Sequence, residues 1–270
     1  MTLVAVWKFD DESDRIHAIA DTRIGQSGTS NILTEHGPKI LPLTLVCKKP
    51  GRSGAFDEEV LRAEFGFAYS GSTLSALCTH ALTNVLCQNL GGVPEAAIPS
   101  MDDIASMVAK VALTYIREIE SVFSAVLFGH CPITRQSLAF ELQPVLSPGE
   151  LVALNVTKHI LEKTNVVVIG SRTDLFRAKL DTVRSTAEHP IIFSDAPIIA
   201  LRSLIQEGQI SSVGGNIQQA WSMGLKLQLV ATAAPIVPTP LNPPNWGMYL
   251  LGFDIDQMGA GDFRVVVMAR

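Results

Sequence analysis

Thr2-Leu3-Val4-Ala5-Val6-Trp7 reads as an apolar strand that starts at the second residue of the chain. Removal of Met1 would leave Thr2 as the amino terminus. A terminal threonine holds a hydroxyl nucleophile and its own general base, the α-amine, on one residue. That amine has an intrinsic pKa of roughly 7.7–8.0, so part of it is neutral near neutral pH. A Met-Thr start is by itself a weak signal, since many chains begin so for no chemical reason. Its weight comes from what lies further along.

Composition narrows the field around this strand. The chain has 270 residues, 47% of them hydrophobic and 17% charged. So few charges imply much buried surface or an oligomer. A net charge of −5, with no long Lys/Arg run, argues against a general nucleic-acid binder. No apolar stretch is long enough to span a bilayer. Asp10, Asp11, Glu12 and Asp14 follow the first strand at once, and no basic leader precedes it, unlike a secretory signal. Cys47, Cys78, Cys87 and Cys131 form no CxxC pair, and Cys78 falls on an apolar helical stripe, as a reduced core thiol would. A cytoplasmic protein is the economical reading.

Along the chain, residues 2–9 and 15–21 are predicted to form a β-hairpin around the acidic cluster. Residues 39–47 form another strand, with Pro42 marking an edge or bulge, and Lys48 to Ser53 a basic loop. A short strand, Phe65 to Tyr69, ends at Ser70-Gly71-Ser72. The spacing of Leu74, Leu77, Cys78, Ala81, Leu82, Val85 and Leu86 predicts a helix with that stripe inward, stopped by Gly91-Gly92. A second helix starts at an N-cap, Ser100, with Ile104, Met107, Val108, Val111, Ala112, Tyr115 and Ile119 on its apolar face. Strands follow at 122–128, 137–142 and 166–169, the stretch between the last two being ambiguous. Helices are expected over 173–187 and 197–207, and strands over 224–233, 247–255 and 263–269. A proline-rich packed loop runs from Pro235 to Pro244. No repeat or linker divides the chain, so residues 1–270 read as one domain, with a strand-rich extension over 235–270. Helices on the outer faces of two stacked sheets would satisfy every apolar face.

Three further segments fall where a terminal nucleophile needs them. Asp21 ends the second strand, beside Thr2. Lys39 opens the next strand behind Gly37-Pro38. A buried lysine near a hydroxyl stabilises the developing alkoxide, and a neighbouring carboxylate keeps that lysine charged. Ser70-Gly71-Ser72 sits where a strand meets a helix, so backbone N–H groups there can hold an oxyanion. Each piece alone also fits a plainer role: a turn carboxylate, a solvated lysine, a helix cap.

Thr2 opening a strand, Ala20-Asp21-Thr22-Arg23, Pro38-Lys39-Ile40 and Tyr69-Ser70-Gly71-Ser72 together resemble a proteasome β-type subunit. The parallel is with bacterial proteasome-like peptidases that start Met-Thr, within the N-terminal nucleophile hydrolases. Val166 to Ser171 resembles the strand and Gly-Ser turn of that family, and Ser211 to Gly215 its following segment. The resemblance implies an α+β fold, a four-layer α/β/β/α sandwich of two antiparallel sheets flanked by helices. It also implies amide-bond hydrolysis without a cofactor or metal. By motif, Thr2 would be nucleophile and base, Asp21 and Lys39 its charge partners, Gly71 N–H an oxyanion donor, and Ser171 part of the hydrogen-bond network. It further implies a homo-oligomer of rings or stacked subunits, with an unfolding ATPase as partner. The chain departs from the pattern in places. Ile210-Ser211-Ser212-Val213 lacks the usual acidic residue, Arg172 replaces a small one, and Thr2 and Asp21 stand 19 positions apart.

His130-Cys131 could suggest a Cys/His hydrolase, but neighbours on a strand point to opposite faces. The six histidines show no metal-ligand spacing, and neither Gly-Gly pair has a nucleotide-binding context. A threonine-type peptidase is therefore the expectation. A non-catalytic assembly subunit and a small-molecule amidase on the same scaffold are the alternatives.

Overall fold

The opening strand is apolar from Leu3 to Trp7 because it is covered on both sides there. In the computed structural model it spans Leu3–Lys8 (β1). Leu3, Ala5 and Trp7 point into one core, and Val4 and Val6 into another. The structure describes residues 2–9, 14–26, 28–29, 31–91, 98–147, 150–163, 165–235, 246–258 and 268–269.

After β1 come Ile16–Asp21 (β2), Ile24–Gly25 (β3), Ile32–Thr34 (β4), Ile40–Pro50 (β5) and Phe56–Gly71 (β6). Helix Thr73–Cys87 (α1), strand Leu90–Gly91 (β7) and helix Met101–Ile119 (α2) follow. Next are Phe123–His130 (β8), Ser137–Ser147 (β9), Glu150–Ile160 (β10) and Val166–Gly170 (β11). Two helices, Thr173–Ser185 (α3) and Pro190–Glu207 (α4), lead to Ile217–Met223 (β12) and Lys226–Pro235 (β13). Trp246–Leu250 (β14), Phe253–Asp254 (β15) and Met268–Ala269 (β16) complete the described elements.

One sheet runs β11-β1-β2-β12-β13-β14-β15, with β16 on β13; the other runs β10-β9-β8-β6-β5-β7. The expected hairpin is present, with β1 and β2 antiparallel and Val4 opposite Ala20. Its acidic turn at 10–13 lies outside the described residues, as does most of the Pro235 to Pro244 loop. Three cores result. Phe65, Phe67 and Tyr69 of β6 meet α1 and α2 residues such as Ala76, Ile104 and Val108. Ile40, Ala68, Val126 and Phe128 meet Val4, Val6 and Ala18 between the sheets. Phe176, Leu180, Leu201 and Leu204 from α3 and α4 cover Leu3 and Trp7.

The expected four-layer α/β/β/α sandwich is corrected by these elements. Strand outweighs helix, 44% against 29%, in large antiparallel sheets with a half-barrel. The cause is strand length. The first half of the expected loop from Lys48 to Ser53 is strand, because Lys48 and Lys49 pair across the ladder with Glu59 and Glu58. The expected short strand from Phe65 begins nine residues earlier, at Phe56. The ambiguous stretch is β10, paired along its length with β9. The expected strand 224–233 is β13, which starts at Lys226, and β12, which was not expected, precedes it across a turn at Gly224 and Leu225. Most of 263–269 lies outside the described residues. Pro42 does sit on a one-sided stretch of β5, since β7 pairs only Cys47 and Lys48.

Helix α1 is turned around relative to expectation. Ser75, Ala76, Thr79, Thr83 and Cys87 face the core. Leu74 and Val85 remain 60% and 58% exposed, and Leu77, Leu82 and Leu86 are exposed with them. Two hydroxyls of this small polar face find internal acceptors: Ser75 Oγ donates to Ser121 O and Thr79 Oγ1 to Ser75 O, each at 2.7 Å. Cys78, on the outer side, is only half-buried, whereas Cys47, Cys87 and Cys131 are buried free thiols. Helix α2 keeps its expected inward face at Ile104, Val108, Val111 and Ala112, behind a capping box of Ser100 and Asp103. Among the described residues no helix is long and apolar enough to cross a membrane.

Candidate active site

At the amino-terminal end of β1 the chain closes around Thr2, which is 1% exposed. Ser70, at the end of β6, donates its hydroxyl to Thr2 O at 2.7 Å and accepts from Thr2 N at 3.2 Å. Ser171 N also donates to Thr2 O, at 3.0 Å. The turn before it can pass only as glycine. Gly170 has φ +114°, and a β-carbon there would stand 1.8 Å from Thr2 O. We expect Gly170→Ala to cost at least about 1–3 kcal/mol from backbone strain alone. A thermal melt should register a Tm loss of several degrees, and an unchanged Tm would contradict this packing.

Asp21 is fully buried at the tip of β2 and gives both oxygens to backbone amides. Oδ1 accepts from Leu3 N at 2.8 Å and Oδ2 from Gly214 N at 3.1 Å. The Gly214-Gly215 turn thus supplies a donor to the carboxylate beside Thr2. Burial pushes the Asp21 carboxyl up to about 6, although both amides and the Lys39 charge pull it down. Lys39 is 2% exposed, with its ammonium 5.3 Å from the centre of the Tyr69 ring. Burial pushes Lys39 down to about 8, with the Asp21 charge opposing.

Both shifts oppose the charged state, so the pair is not there for stability. The Asp21 contribution is complete below the ordinary carboxylate value and is lost as pH rises through about 6. The Lys39 contribution is complete above the ordinary lysine value and is lost as pH falls through about 8. Between those values the fold carries both charges against their solvation preference. Such a cost marks a functional site more often than a structural one.

Thr2, Asp21 and Ser171, spread over 170 positions, thus meet at the start of β1, with Lys39 close enough for its charge to act on Asp21. Ser171 Oγ meets Ser212 Oγ at 3.4 Å, so the segment lacking an acidic residue still brings a hydroxyl to the network. Gly71 follows Ser70 directly, and its glycine has a packing cause: a β-carbon would stand 2.8 Å from both Phe123 Cα and Val122 O. Arg172 turns away to pair with Asp174 at 3.1 Å. Three residues escaped the sequence reading as individuals. Ser70 and Tyr69 appeared only as members of the Tyr69-Ser70-Gly71-Ser72 motif, with no role of their own, and Gln218 carried no signal. Tyr69 OH donates to Pro38 O at 2.9 Å, holding the turn that delivers Lys39.

His130 and Cys131 part as expected. His130 is turned toward Asp14, with Nε2 2.8 Å from Asp14 O, while Cys131 enters the core against α2.

Solved structures similar to this chain include Anbu proteins. The chain is similar to a mutant of Anbu from Hyphomicrobium sp. strain MC1, with TM-score 0.57 and 16% identity over 84% of each chain. It is similar to Anbu (ancestral beta-subunit) from Yersinia bercovieri, at TM-score 0.55 and 13% identity over 84% of this chain and 86% of that one. A third likeness, TM-score 0.53 and 15% identity over 81% of this chain and 80% of that one, is to the Anbu complex of Pseudomonas aeruginosa, solved as a helical assembly. No family model and no curated protein matches the chain. These likenesses correct the resemblance to a plain proteasome β-type subunit, because Anbu is proteasome-like but a distinct family. At such identities they establish kinship of fold alone.

Proposed function

We propose that the chain is a threonine-type N-terminal nucleophile hydrolase of amide bonds, a peptidase, acting after removal of Met1. The observation that carries this reading is the buried pair of Asp21 and Lys39 at the start of β1, where Asp21 accepts from Leu3 N, the amide next to Thr2, and the Lys39 charge acts on Asp21. In the reaction the Thr2 α-amine takes the Oγ proton while Oγ attacks the substrate carbonyl carbon. The tetrahedral intermediate collapses as the amine returns that proton to the leaving nitrogen. An ester on Thr2 remains, and the same amine activates water to hydrolyse it. The Lys39 cation lowers the basicity of the nearby amine, so more of it is neutral at physiological pH. Ser70 Oγ, already the acceptor for Thr2 N, would orient that amine. Gly71 N–H is assigned to the oxyanion, and Ser171 with Ser212 to the supporting network.

This reading includes self-assembly. The Pseudomonas aeruginosa Anbu complex is a helical assembly, and here the exposed leucines of α1 offer an apolar surface to cover. The alternative of an inactive assembly subunit is separated by turnover, and a small-molecule amidase by a panel of fluorogenic peptides and acyl amides.

The pH profile follows from the two buried charges. With Asp21 needed as carboxylate and Lys39 as cation, kcat/KM should fall below about 6 and above about 8. A rate that climbs steadily to pH 10 would contradict the role given to Lys39.

A further inference from the structure

Lysine side chains are long and flexible, so a buried catalytic lysine needs its backbone fixed before its ammonium can be placed. Lys39 lies one residue ahead of β5, where no strand neighbour holds its N–H. That N–H donates instead to Gln218 Oε1 at 2.7 Å. The next amide, Ile40 N, donates to the same oxygen at 2.8 Å, and Gln218 Nε2 donates back to Ile40 O at 2.7 Å. On its far side Lys39 O accepts from Tyr69 N at 3.1 Å. Gln218 is 2% exposed and stands on β12, in the other sheet. In the β12–β2 register, its neighbour Ile217 lies opposite Asp21 and Gln218 itself opposite Ala20. One side chain therefore ties the lysine's backbone to the strand that borders the aspartate.

We propose that Gln218 is a positioning residue for Lys39, clamping the start of β5 to the opposite sheet so that the ammonium stays in register with Thr2 and Asp21. The chemistry of the clamp is specific to glutamine. Its oxygen serves two amides while its nitrogen serves a carbonyl. Glutamate keeps the acceptor but loses the donor, asparagine is one methylene short, and methionine offers neither partner. The proposal rests on the hydrolase reading above, and its test has an arm that does not.

The experiment compares wild type, Gln218→Met and Gln218→Glu as purified full-length chains. With a fluorogenic peptide, Gln218→Met should lose at least about tenfold in kcat with little change in KM, since misplacement acts on the reacting geometry. Gln218→Glu should recover part of that kcat and move the alkaline limb of the pH profile upward, because its carboxylate favours the lysine cation. Should both variants lose thermal stability while kcat per folded molecule and the alkaline limb stay at wild-type values, the clamp is merely structural and the proposal falls. The second arm follows the Lys39 titration by NMR in protein labelled at the lysine ε-carbons, assigned with Lys39→Met. Its midpoint should rise in Gln218→Glu, and an unmoved midpoint overturns the proposal whatever the activity. If wild type hydrolyses nothing, the hydrolase reading fails, yet this titration still decides the role of Gln218. If Gln218→Met does not fold, the glutamate variant carries the comparison.

Discussion

Thr2→Ala is expected to abolish turnover and leave the fold standing. The reason is a division of labour within one residue. The contacts that anchor Thr2 run through its backbone: N to Ser70 Oγ, and O from Ser70 Oγ and Ser171 N. Alanine keeps all of these, so the stability loss should stay near that of an ordinary substitution, about 1 kcal/mol. The hydroxyl is another matter. Removing the nucleophile from an acyl-transfer site costs rate on the order of 10⁴–10⁶, because the remaining groups act only through it. Peptide hydrolysis by Thr2→Ala should therefore fall to background, and Thr2→Ser should retain a measurable rate. Purified Thr2→Ala protein that hydrolyses at the wild-type rate would end the proposed mechanism.

The second large effect is expected at Lys39. Lys39→Met preserves side-chain length and apolar packing under the Tyr69 ring but deletes the charge. Loss of a positioned cation in proton-transfer chemistry is worth about 10²–10⁴ in rate, so kcat should drop into that range. Stability should respond with a sign that depends on pH. At pH 5, below the Asp21 value of about 6, the carboxyl is mostly protonated, and deleting the desolvated ammonium should leave Tm unchanged or raised. At pH 7.5 Asp21 loses the cation that offsets its charge, and the advantage should shrink or reverse. Melting curves at the two pH values, alongside kinetics, separate this account from a simple packing defect. A large Tm loss at pH 5 would show that Lys39 supports the fold rather than burdening it.

Parts of this site were legible in the chain because they obey local rules. β1 announces itself, since burial on both faces demands an unbroken apolar run. Asp21, Lys39 and Ser171 fall at the strand ends or turns where the short motifs place them: Ser171 N reaches Thr2 O, Asp21 reaches Leu3 N, and the Lys39 charge acts on Asp21. What local rules do not encode was missed. The spacing of leucines revealed α1 as a helix, but periodicity identifies a stripe and not what covers it. The core took the small face of Ser75, Thr79 and Thr83 instead. The long ladders β5–β6 and β9–β10 were cut short, because their distal ends carry Lys-Glu pairs and exposed polar positions that read as loop. That shortfall is why an even sandwich was expected where strand predominates. Gln218 was invisible for another reason: its partners lie 178 and 179 positions away, and nothing in Ile217-Gln218-Gln219 sets one glutamine apart from the other.

The most direct measurement is the intact mass of the purified protein, before and after treatment with an electrophile that traps terminal threonines. The account predicts a chain one methionine lighter than the full sequence, a single added adduct, and no adduct on Thr2→Ala. Natural material that keeps Met1, or a processed chain that takes up no adduct at Thr2, would contradict it.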